Sequence, residues 1–399
     1  MEPLSSLLVE AQALLPAAVA LRRDIHAHPE VGLDLPRTQA AIIEALDGLG
    51  LEVTTGSSLS SVVAVLDSGK PGPTVLLRGD MDALPMPEDT GFDFASTVPG
   101  VMHACGHDSH VAMLAGAATL LRAHERDLTG RVVFMFQPGE EGYHGARFMI
   151  DEGVLDIAGP VDVAFAIHQS PNYASGTMTT KGGTFMASAD EFYLDVVGRG
   201  GHASAPYQAL DPIPIACEIV LAIQSMVTRT LDIFDPAVVT VAHLNAGTTT
   251  NVIPERAAVH GTIRALSART RDLVHHELRQ LATGIAAAHG ATVDFQIVPG
   301  FPVTVNDQGV ADWTRSVATR ILGAAHVVEM SSPIMGAEDF SYVLERVPGA
   351  MVFLGTCPED VELSSVAPCH SNRMRLNEST MATGIALYAG MALARSEAT

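Results

Sequence analysis

The sequence is poor in cysteine and in basic residues, and each shortage excludes a class of protein. Only four cysteines occur among the 399 residues, and no two of them form a C-x-x-C pair. So few cysteines exclude a disulfide-rich secreted scaffold, and we expect a reducing compartment, the cytoplasm. The chain has 23 Lys and Arg against 45 Asp and Glu, a net charge of −22, so phosphate backbones and anionic membrane surfaces would repel it. Nucleic acid is therefore not an expected partner.

Long apolar runs are also missing. No uninterrupted apolar stretch approaches the ~20 residues that span a bilayer. The apolar N-terminal segment has no Lys or Arg before it, is interrupted by Pro16 and is followed by Arg22 and Arg23. That arrangement differs from a secretory signal, which begins with positive charge. We therefore expect an amphipathic helix here and no membrane association.

The residues that are present indicate a globular enzyme with more than one domain. Hydrophobic residues make up 47% of the chain, and 399 residues exceed one ordinary hydrophobic core at ~150 residues per domain. Short β-rich runs alternate with helical segments, and these runs are SVVAVL at 61, TVLL at 74, RVVFMF at 131 and VDVAFAI at 161. A helix is predicted between the second and third runs, over 106–124. This alternation predicts an α/β fold with a mostly parallel sheet flanked by helices.

A different pattern begins near Met186. Strand and helix signals follow one another there in the order βαββαβ, which is the ferredoxin-like arrangement. After it the β/α alternation resumes, and it includes a predicted helix over 337–347. The sequence therefore predicts a first part of the catalytic domain at 1–186, an inserted domain at 187–298 and a second part at 299–399.

Acidic and imidazole side chains follow the predicted strands of the first domain. TVLL leads to Asp80 and Asp82, RVVFMF leads to Glu140 and Glu141, and VDVAFAI leads to His168. Open α/β sheets bind their ligands beyond the carboxyl ends of their strands. These groups are therefore candidates for one functional site.

The segment VMHACGHDSH, at 101–110, combines Cys105 with His107. At a spacing of two residues their side chains can converge only from an extended turn, which Gly106 permits. A thiolate and an imidazole suit zinc, and they also suit nickel, cobalt or manganese if oxygen ligands complete the site. Taken alone, the segment is equally consistent with a polar loop that caps a helix and buries Cys105.

The adjacent carboxylates Glu140 and Glu141 allow a division of labour. Neighbouring side chains of an extended chain point in opposite directions, so one can bind metal while the other faces substrate. A general base needs such a carboxylate close to an activated water. The alternative is an ordinary pair of glutamates in a solvated turn.

Single histidines and one arginine are weaker signals. His168, His370 and His110, each considered alone, fit a structural histidine better than a metal ligand. In the predicted inserted domain, His202 lies in a glycine-rich turn and Arg264 presents a planar fork suited to a carboxylate. The alternative interpretation is that His202 is an ordinary turn residue and that Arg264 is an ordinary surface residue of a strand.

Eight segments occur in order across nearly the whole chain, namely RRDIHAHPE, LRGDMDALPM, MHACGHDSHVAMLAGAA, FQPGEEG, AIHQSPN, GRGGHASAP, NVIPERAAVHGTIR and GAEDFSYV. Together they resemble the dinuclear metallohydrolase family of aminoacylases and carboxypeptidases, in the amidohydrolase branch that contains hippurate hydrolase and the indole-acetyl-amino-acid hydrolases. The resemblance implies a zinc-peptidase-like α/β domain with an inserted ferredoxin-like α+β lid, and a homodimer or higher homo-oligomer formed through that lid. It also implies hydrolysis of N-acyl-amino acids with two divalent ions, which could be zinc, manganese, cobalt or nickel.

The same resemblance implies roles for individual residues. Glu140 is expected to be the general base that activates the bridging water, and Asp82 is expected to orient a ligand. His202 is expected to stabilise the oxyanion, while Asn251 and Arg264 hold the substrate carboxylate. The expected metal ligands are Cys105, His107, Glu141, His168 and His370.

Other functions remain open at the level of the sequence. A metallo-carboxypeptidase or dipeptidase would use the same residues on a different amide. Cys105 could instead be a nucleophile with His107 as its base, which leaves the two glutamates unexplained. A non-catalytic metal-binding protein would need only one of the two glutamates. Asp80 and Asp82 stand where many relatives carry His-x-Asp, so the metal identity and the role of Asp82 are not fixed.

Overall fold

The computed structural model describes residues 4–397 and divides this part of the chain into two compact units. The larger unit contains residues 4–185, 305–332 and 339–397. The smaller unit contains residues 186–304 and 333–338, and so interrupts the larger unit along the chain.

Helices and short strands follow one another along most of the chain between residues 4 and 397. The α-helices are α1 (Leu7–Ala27), α2 (Pro36–Leu46), α3 (His107–Ala123), α4 (Gly145–Asp151), α5 (Pro212–Thr230), α6 (Ala268–Ala288), α7 (Gln308–Leu322), α8 (Ser341–Leu344) and α9 (Met381–Glu397). The strands are β1 (Glu52–Thr55), β2 (Val62–Asp67), β3 (Thr74–Asp80), β4 (Arg131–Gln137), β5 (Val163–Ser170), β6 (Met178–Thr180), β7 (Gly183–Met186), β8 (Asp190–Val197), β9 (Gly201–His202), β10 (Ala237–Ala246), β11 (Val252–Ile253), β12 (Arg256–Ala265), β13 (Thr292–Pro299), β14 (Thr304–Asn306), β15 (Val327–Glu329) and β16 (Gly349–Gly355). Short 3-10 helices lie at Leu4–Ser6, Glu125–Asp127, Pro206–Gln208, Ala324–His326, Leu363–Ser365 and Glu378–Thr380.

The larger unit is built on a sheet with the strand order β1-β2-β4-β3-β5-β16-β6-β15. Its centre, β4-β3-β5-β16, is parallel throughout, and the antiparallel pairings are β1 with β2, β2 with β4 and β16 with β6. Every residue of β3, β5 and β16 is buried, as expected when both faces of a parallel sheet are covered. Helices α1, α3 and α9 pack against one another and form one core with the sheet. The predicted α/β class with a mostly parallel sheet is confirmed.

The smaller unit is an antiparallel sheet with the order β10-β12-β8-β13. Along the chain its elements run β8-α5-β10-β12-α6-β13, which is the ferredoxin-like βαββαβ order. Alternate residues of β8 and β12 are buried, and the buried set packs against α5 and α6 in a core of its own. The remaining residues of each strand lie on the face without helices.

One helix in the described part of the chain, α5, is long and apolar enough in composition to cross a membrane. Its buried residues, Ile215, Ile219, Ile223 and Met226 among them, belong to the core of the smaller unit. Core helices of globular proteins commonly have this composition, so α5 is weak grounds for a membrane span.

The helix predicted over 337–347 is wrong in its length. Only Ser341–Leu344 is α-helical. Asp339, two residues before this helix, is fully buried and accepts hydrogen bonds from Arg78, Gln137 and the backbone N–H of Ala146. The side chain is held in this buried position by bonds to distant parts of the larger unit, and the helical turn begins only after it.

Candidate metal centre

The turn from Cys105 to His107 depends on a glycine. Gly106 has φ +84°, and an added Cβ atom would lie 2.5 Å from the side-chain amide nitrogen of Gln169. Both the left-handed conformation and the close approach therefore favour glycine. Helix α3 begins at His107, so the turn places Cys105 just before the helix and His107 in its first position.

His168 approaches Cys105 from the end of β5. Its Nε2 atom lies 3.4 Å from the Cys105 Sγ atom, while its Nδ1 atom bonds to the carbonyl of Gln169. Fixing one ring nitrogen through the backbone leaves the other free to act as a ligand. Donor atoms of Cys105, His107 and His168 all lie within 4.8 Å of one another.

Asp82 holds the turn that carries the two glutamates. One of its carboxylate oxygens accepts the backbone N–H of Glu140 and the other accepts that of Glu141, each at 3.0 Å. Because β3 and β4 are parallel neighbours, Asp82 and the glutamates follow adjacent strand ends. Asp82 also lies 3.4 Å from the Nδ1 atom of His107, and its backbone carbonyl bonds to the same nitrogen at 2.9 Å. Asp82 thus contacts the predicted ligand His107 directly, and it also bonds to the turn that carries the predicted ligand Glu141.

His370 reaches the same place from a loop after β16. Its backbone has φ +67°, and its N–H donates to the carbonyl of Ala104 at 2.8 Å. The His370 Nε2 atom lies 3.1 Å from a carboxylate oxygen of Glu141. Donor atoms of Cys105, Glu141 and His370 form a second group within 4.8 Å, and His107, Glu140 and Glu141 form a third. All five predicted ligands and Glu140 are therefore brought together.

The electrostatics of this cluster favour a cation. Burial disfavours the charged form of His107, yet the carboxylates of Asp80, Asp82 and Glu141 outweigh it and raise its pKa to about 10. The His107 Nε2 atom is buried and makes no hydrogen bond within residues 4–397, and Asp80 comes no closer to it than 3.6 Å. A buried nitrogen without a partner is costly. With a thiol, imidazoles and carboxylates converging on it, the residues fit a divalent metal ion.

Two residues of this region that the sequence did not single out as functional, His110 and Gln169, support the candidate ligands. His110 bonds through Nδ1 to Asp80, and its Nε2 atom accepts the backbone N–H of Gln169 at 2.8 Å. The Gln169 side chain donates to the carbonyl of Cys105 at 2.7 Å. One signal was available, because His107 and His110 are three residues apart and so share a helix face. The Gln169 contacts join distant parts of the chain and leave no local pattern.

The predicted substrate-binding residues lie in the smaller unit. His202 is in β9, which pairs with β11 so that Val252 is opposite it, and the carbonyl of Asn251 accepts the N–H of Ala203 at 3.1 Å. His202 is exposed, and its Nδ1 atom contacts the Ser204 hydroxyl at 2.8 Å. Arg264 is on β12, on the sheet face without helices, where burial lowers its pKa.

Comparison with known proteins agrees with this geometry. The model of peptidase family M20/M25/M40 matches residues 76–394. The chain belongs to this family. The chain is similar to Thermostable carboxypeptidase 1 of Saccharolobus solfataricus, to which it is 39% identical over 94% of each chain. IAA-amino acid hydrolase ILR1-like 2 of Arabidopsis thaliana is 38% identical over 94% of this chain and 84% of its own.

A solved structure of the M20 family extends the comparison to the metal. A dinuclear metal-binding peptidase from Bacillus subtilis superposes with a TM-score of 0.84 at 32% identity, covering 97% of this chain and 99% of its own. The present M20 protein is accordingly a metal-dependent hydrolase of amide bonds. Its candidate ligand groups fit a dinuclear centre.

Proposed function

We propose that the protein hydrolyses N-acyl-amino acids, releasing a carboxylic acid and a free amino acid. The observation that carries this proposal is the pair Glu140 and Glu141, held by one aspartate at the edge of a cluster of metal donors. A centre that only stored metal would need one of these carboxylates. The amidohydrolases among the relatives support an N-acyl-amino acid as the substrate class.

The proposed ligands of the two ions are Cys105, His107, Glu141, His168 and His370. When bound, divalent ions such as zinc, manganese, cobalt or nickel supply a lowered pKa for water and polarise the substrate carbonyl. Glu140 takes a proton from the attacking water and delivers it to the leaving nitrogen. The backbone N–H of Glu140 donates a hydrogen bond to Asp82, and this bond keeps the Glu140 carboxylate at the ligand cluster during both proton transfers.

The smaller unit supplies the proposed substrate-recognition residues. Arg264 can form two parallel charge-assisted hydrogen bonds to the free carboxylate of the amino-acid half, and Asn251 adds an amide contact. His202 carries an exposed imidazole that can donate to the oxyanion of the tetrahedral intermediate. In this proposal the smaller unit acts as a lid, which would exclude water when it closes on the substrate.

We also propose that the smaller unit forms a homodimer, or a higher homo-oligomer. β10 is the outer strand of its sheet in the described part of the chain, with Val238 and Leu244 about half exposed. Leu221 on α5 is 73% exposed. An exposed strand edge with apolar side chains is a template for pairing with a second chain. The cytoplasmic location expected from the few cysteines is part of the same proposal.

A second candidate is a carboxypeptidase or dipeptidase, which the name of the Saccharolobus solfataricus relative favours. Both candidates cleave an amide next to a free carboxylate, so the same centre serves either. A panel of acetyl-, benzoyl-, indole-acetyl- and fatty-acyl-amino acids, with matched dipeptides, would separate them by kcat/KM. Faster turnover of the dipeptides would favour the peptidase.

The test of the mechanism is Glu140→Gln. Loss of a general base should lower kcat by at least ~10²-fold while the metal content stays intact. The matched control is Glu141→Gln, which should lose metal as measured by elemental analysis. If Glu140→Gln loses metal and Glu141→Gln keeps it, the two roles are reversed.

A further inference from the structure

A second cysteine lies against the predicted metal ligand Cys105. Cys369 directly precedes His370, and its Sγ atom lies 4.0 Å from the carbonyl oxygen of Cys105. Both are free thiols, and Cys105 is buried while Cys369 is partly buried. The proposed mechanism uses only one of these two sulfur atoms.

The surrounding structure fixes the two cysteines together. The Gln169 amide donates to the Cys369 Sγ atom at 3.4 Å and to the Cys105 carbonyl at 2.7 Å. Thr356 in turn donates to the Gln169 side-chain oxygen at 2.7 Å. The backbone bond from His370 to Ala104 holds the two chain segments side by side. These bonds hold the Cys369 thiol against the backbone of Cys105.

We propose that Cys105 and Cys369 form a reversible disulfide on exposure to hydrogen peroxide, and that this bond removes Cys105 from the metal-ligand set. The inference rests on the proposed function, because it needs Cys105 to be a ligand. A bound ion would hold the Cys105 sulfur and slow the reaction, so metal-free protein should react first. The site would then lose its ability to take up metal under oxidative conditions.

The chemistry balances with one peroxide. One thiol, as its thiolate, attacks an oxygen of hydrogen peroxide and becomes a sulfenic acid; the O–O bond breaks, and the departing hydroxide takes up the proton that the thiol released, giving the first water. The second thiol attacks that sulfur, its proton leaves with the hydroxyl group as a second water, and the S–S bond forms. Two thiols are oxidised by two electrons in total, and the peroxide is reduced to two molecules of water. A dithiol reductant reverses the step by thiol–disulfide exchange.

The experiment treats the metal-free protein with one equivalent of hydrogen peroxide, followed by alkylation of the remaining thiols. Mass mapping without reduction should find a cross-link between the Cys105 and Cys369 peptides, with two of the four thiols lost. Zinc uptake by the oxidised protein, measured by elemental analysis, should fall at least ~10-fold and recover after dithiothreitol. Protein loaded with zinc beforehand should cross-link more slowly.

Two variants make the result specific. Cys369→Ser should take up zinc and form no cross-link. With two or more equivalents of peroxide it should also fail to recover zinc uptake after dithiothreitol, because a second peroxide oxidises the Cys105 sulfenic acid to the sulfinic acid. Cys357→Ser, which alters a buried cysteine whose contacts are with Pro358 and Val361, should behave as wild type. A cross-link to another cysteine, or full recovery of zinc uptake by Cys369→Ser after that excess of peroxide, would overturn the proposal.

Failure of the inference differs from failure of the proposed function. If Cys105→Ser loses zinc but no Cys105–Cys369 cross-link forms, the disulfide is rejected and the ligand role stands. If the cross-link forms and zinc uptake is unchanged, the link between disulfide and metal is rejected, and so is Cys105 as a ligand.

Discussion

Two buried polar clusters, one in each unit, differ in how their charges are satisfied. In the smaller unit, Asp190 is 2% exposed, and both of its carboxylate oxygens accept hydrogen bonds. Arg271 spans the two oxygens, His275 donates at 2.7 Å, and the N–H of Gly300 donates at 2.9 Å. In the candidate metal centre of the larger unit, the buried His107 Nε2 atom makes no hydrogen bond to any described residue.

The difference shows what each cluster is built for. Around Asp190 the protein supplies every partner, and although burial opposes ionisation, the bonds from Arg271 and His275 lower its pKa to about 2. That cluster joins β8 to α6 and needs nothing further. Around His107 several donor atoms lie within 4.8 Å of one another, yet its Nε2 atom has no hydrogen-bond partner among the described residues. A cluster of this kind is completed by an ion from outside.

The largest effect should follow removal of the ions. Dialysis against a strong chelator should abolish turnover, because the donors of the larger unit then have nothing to coordinate. Activity should return on adding back one of zinc, manganese, cobalt or nickel, measured as kcat after verifying metal content. Full activity in verified metal-free protein would contradict the proposed function.

A smaller effect should follow Asp190→Asn. The shift of the Asp190 pKa from 3.8 to about 2 corresponds to about 2 to 3 kcal/mol of unfolding free energy at neutral pH. The variant also leaves Arg271 without its carboxylate, so denaturant unfolding should show a loss of at least this size. Metal content should stay at the wild-type value, since no predicted ligand is altered. Loss of metal in this variant would contradict the separation of the two clusters.

The pH dependence of the same variant provides a second check. A carboxyl group whose folded pKa is lowered contributes stability above its unfolded pKa and loses that contribution as pH falls through the folded pKa. The stability difference between wild type and Asp190→Asn should therefore be full above pH 4 and shrink as pH falls toward 2. A difference that persists unchanged at pH 2 would show that ionisation of Asp190 is not its source.

The smallest effect should follow Arg256→Ala. Arg256 pairs with Asp294 at 2.6 Å on the same unit, but both side chains are more than half exposed. Exposed ion pairs contribute little, because water and salt screen them. The unfolding midpoint should match wild type within error, although an arginine–aspartate contact is lost, as it is in Asp190→Asn. A clear shift would mean that burial is not what separates the two pairs.

Local patterns predicted much of the fold. The burial of several strands can be read from their own residues. Continuous apolar runs became the buried strands β3, β4 and β5, and alternating runs became the half-buried strands β8 and β12. The helix predicted over 337–347 failed because the contacts of Asp339 come from residues far away in the chain. A propensity summed over neighbouring residues cannot include such contacts.

The candidate site was likewise predicted only in part from the sequence. The residues gathered by segment resemblance, such as Cys105 and His370, are brought together in the structure. The residues that support them were not predicted as such, because Gln169 and Cys369 act through bonds whose partners are distant in sequence. The assignment of individual ligands stays a proposal until metal content is measured in variants.

The parallel pairing of β5 with β16 has a consequence for the order of folding. These neighbours in the sheet are separated along the chain by the whole smaller unit. Closing so long a loop costs only slightly more entropy than closing a shorter one, so the insertion is tolerated at equilibrium. The rate is affected more, because contacts distant in sequence slow folding. His370 follows β16, so a chain emerging from the ribosome gathers its other donors first and completes the centre only after its late segments have joined the sheet.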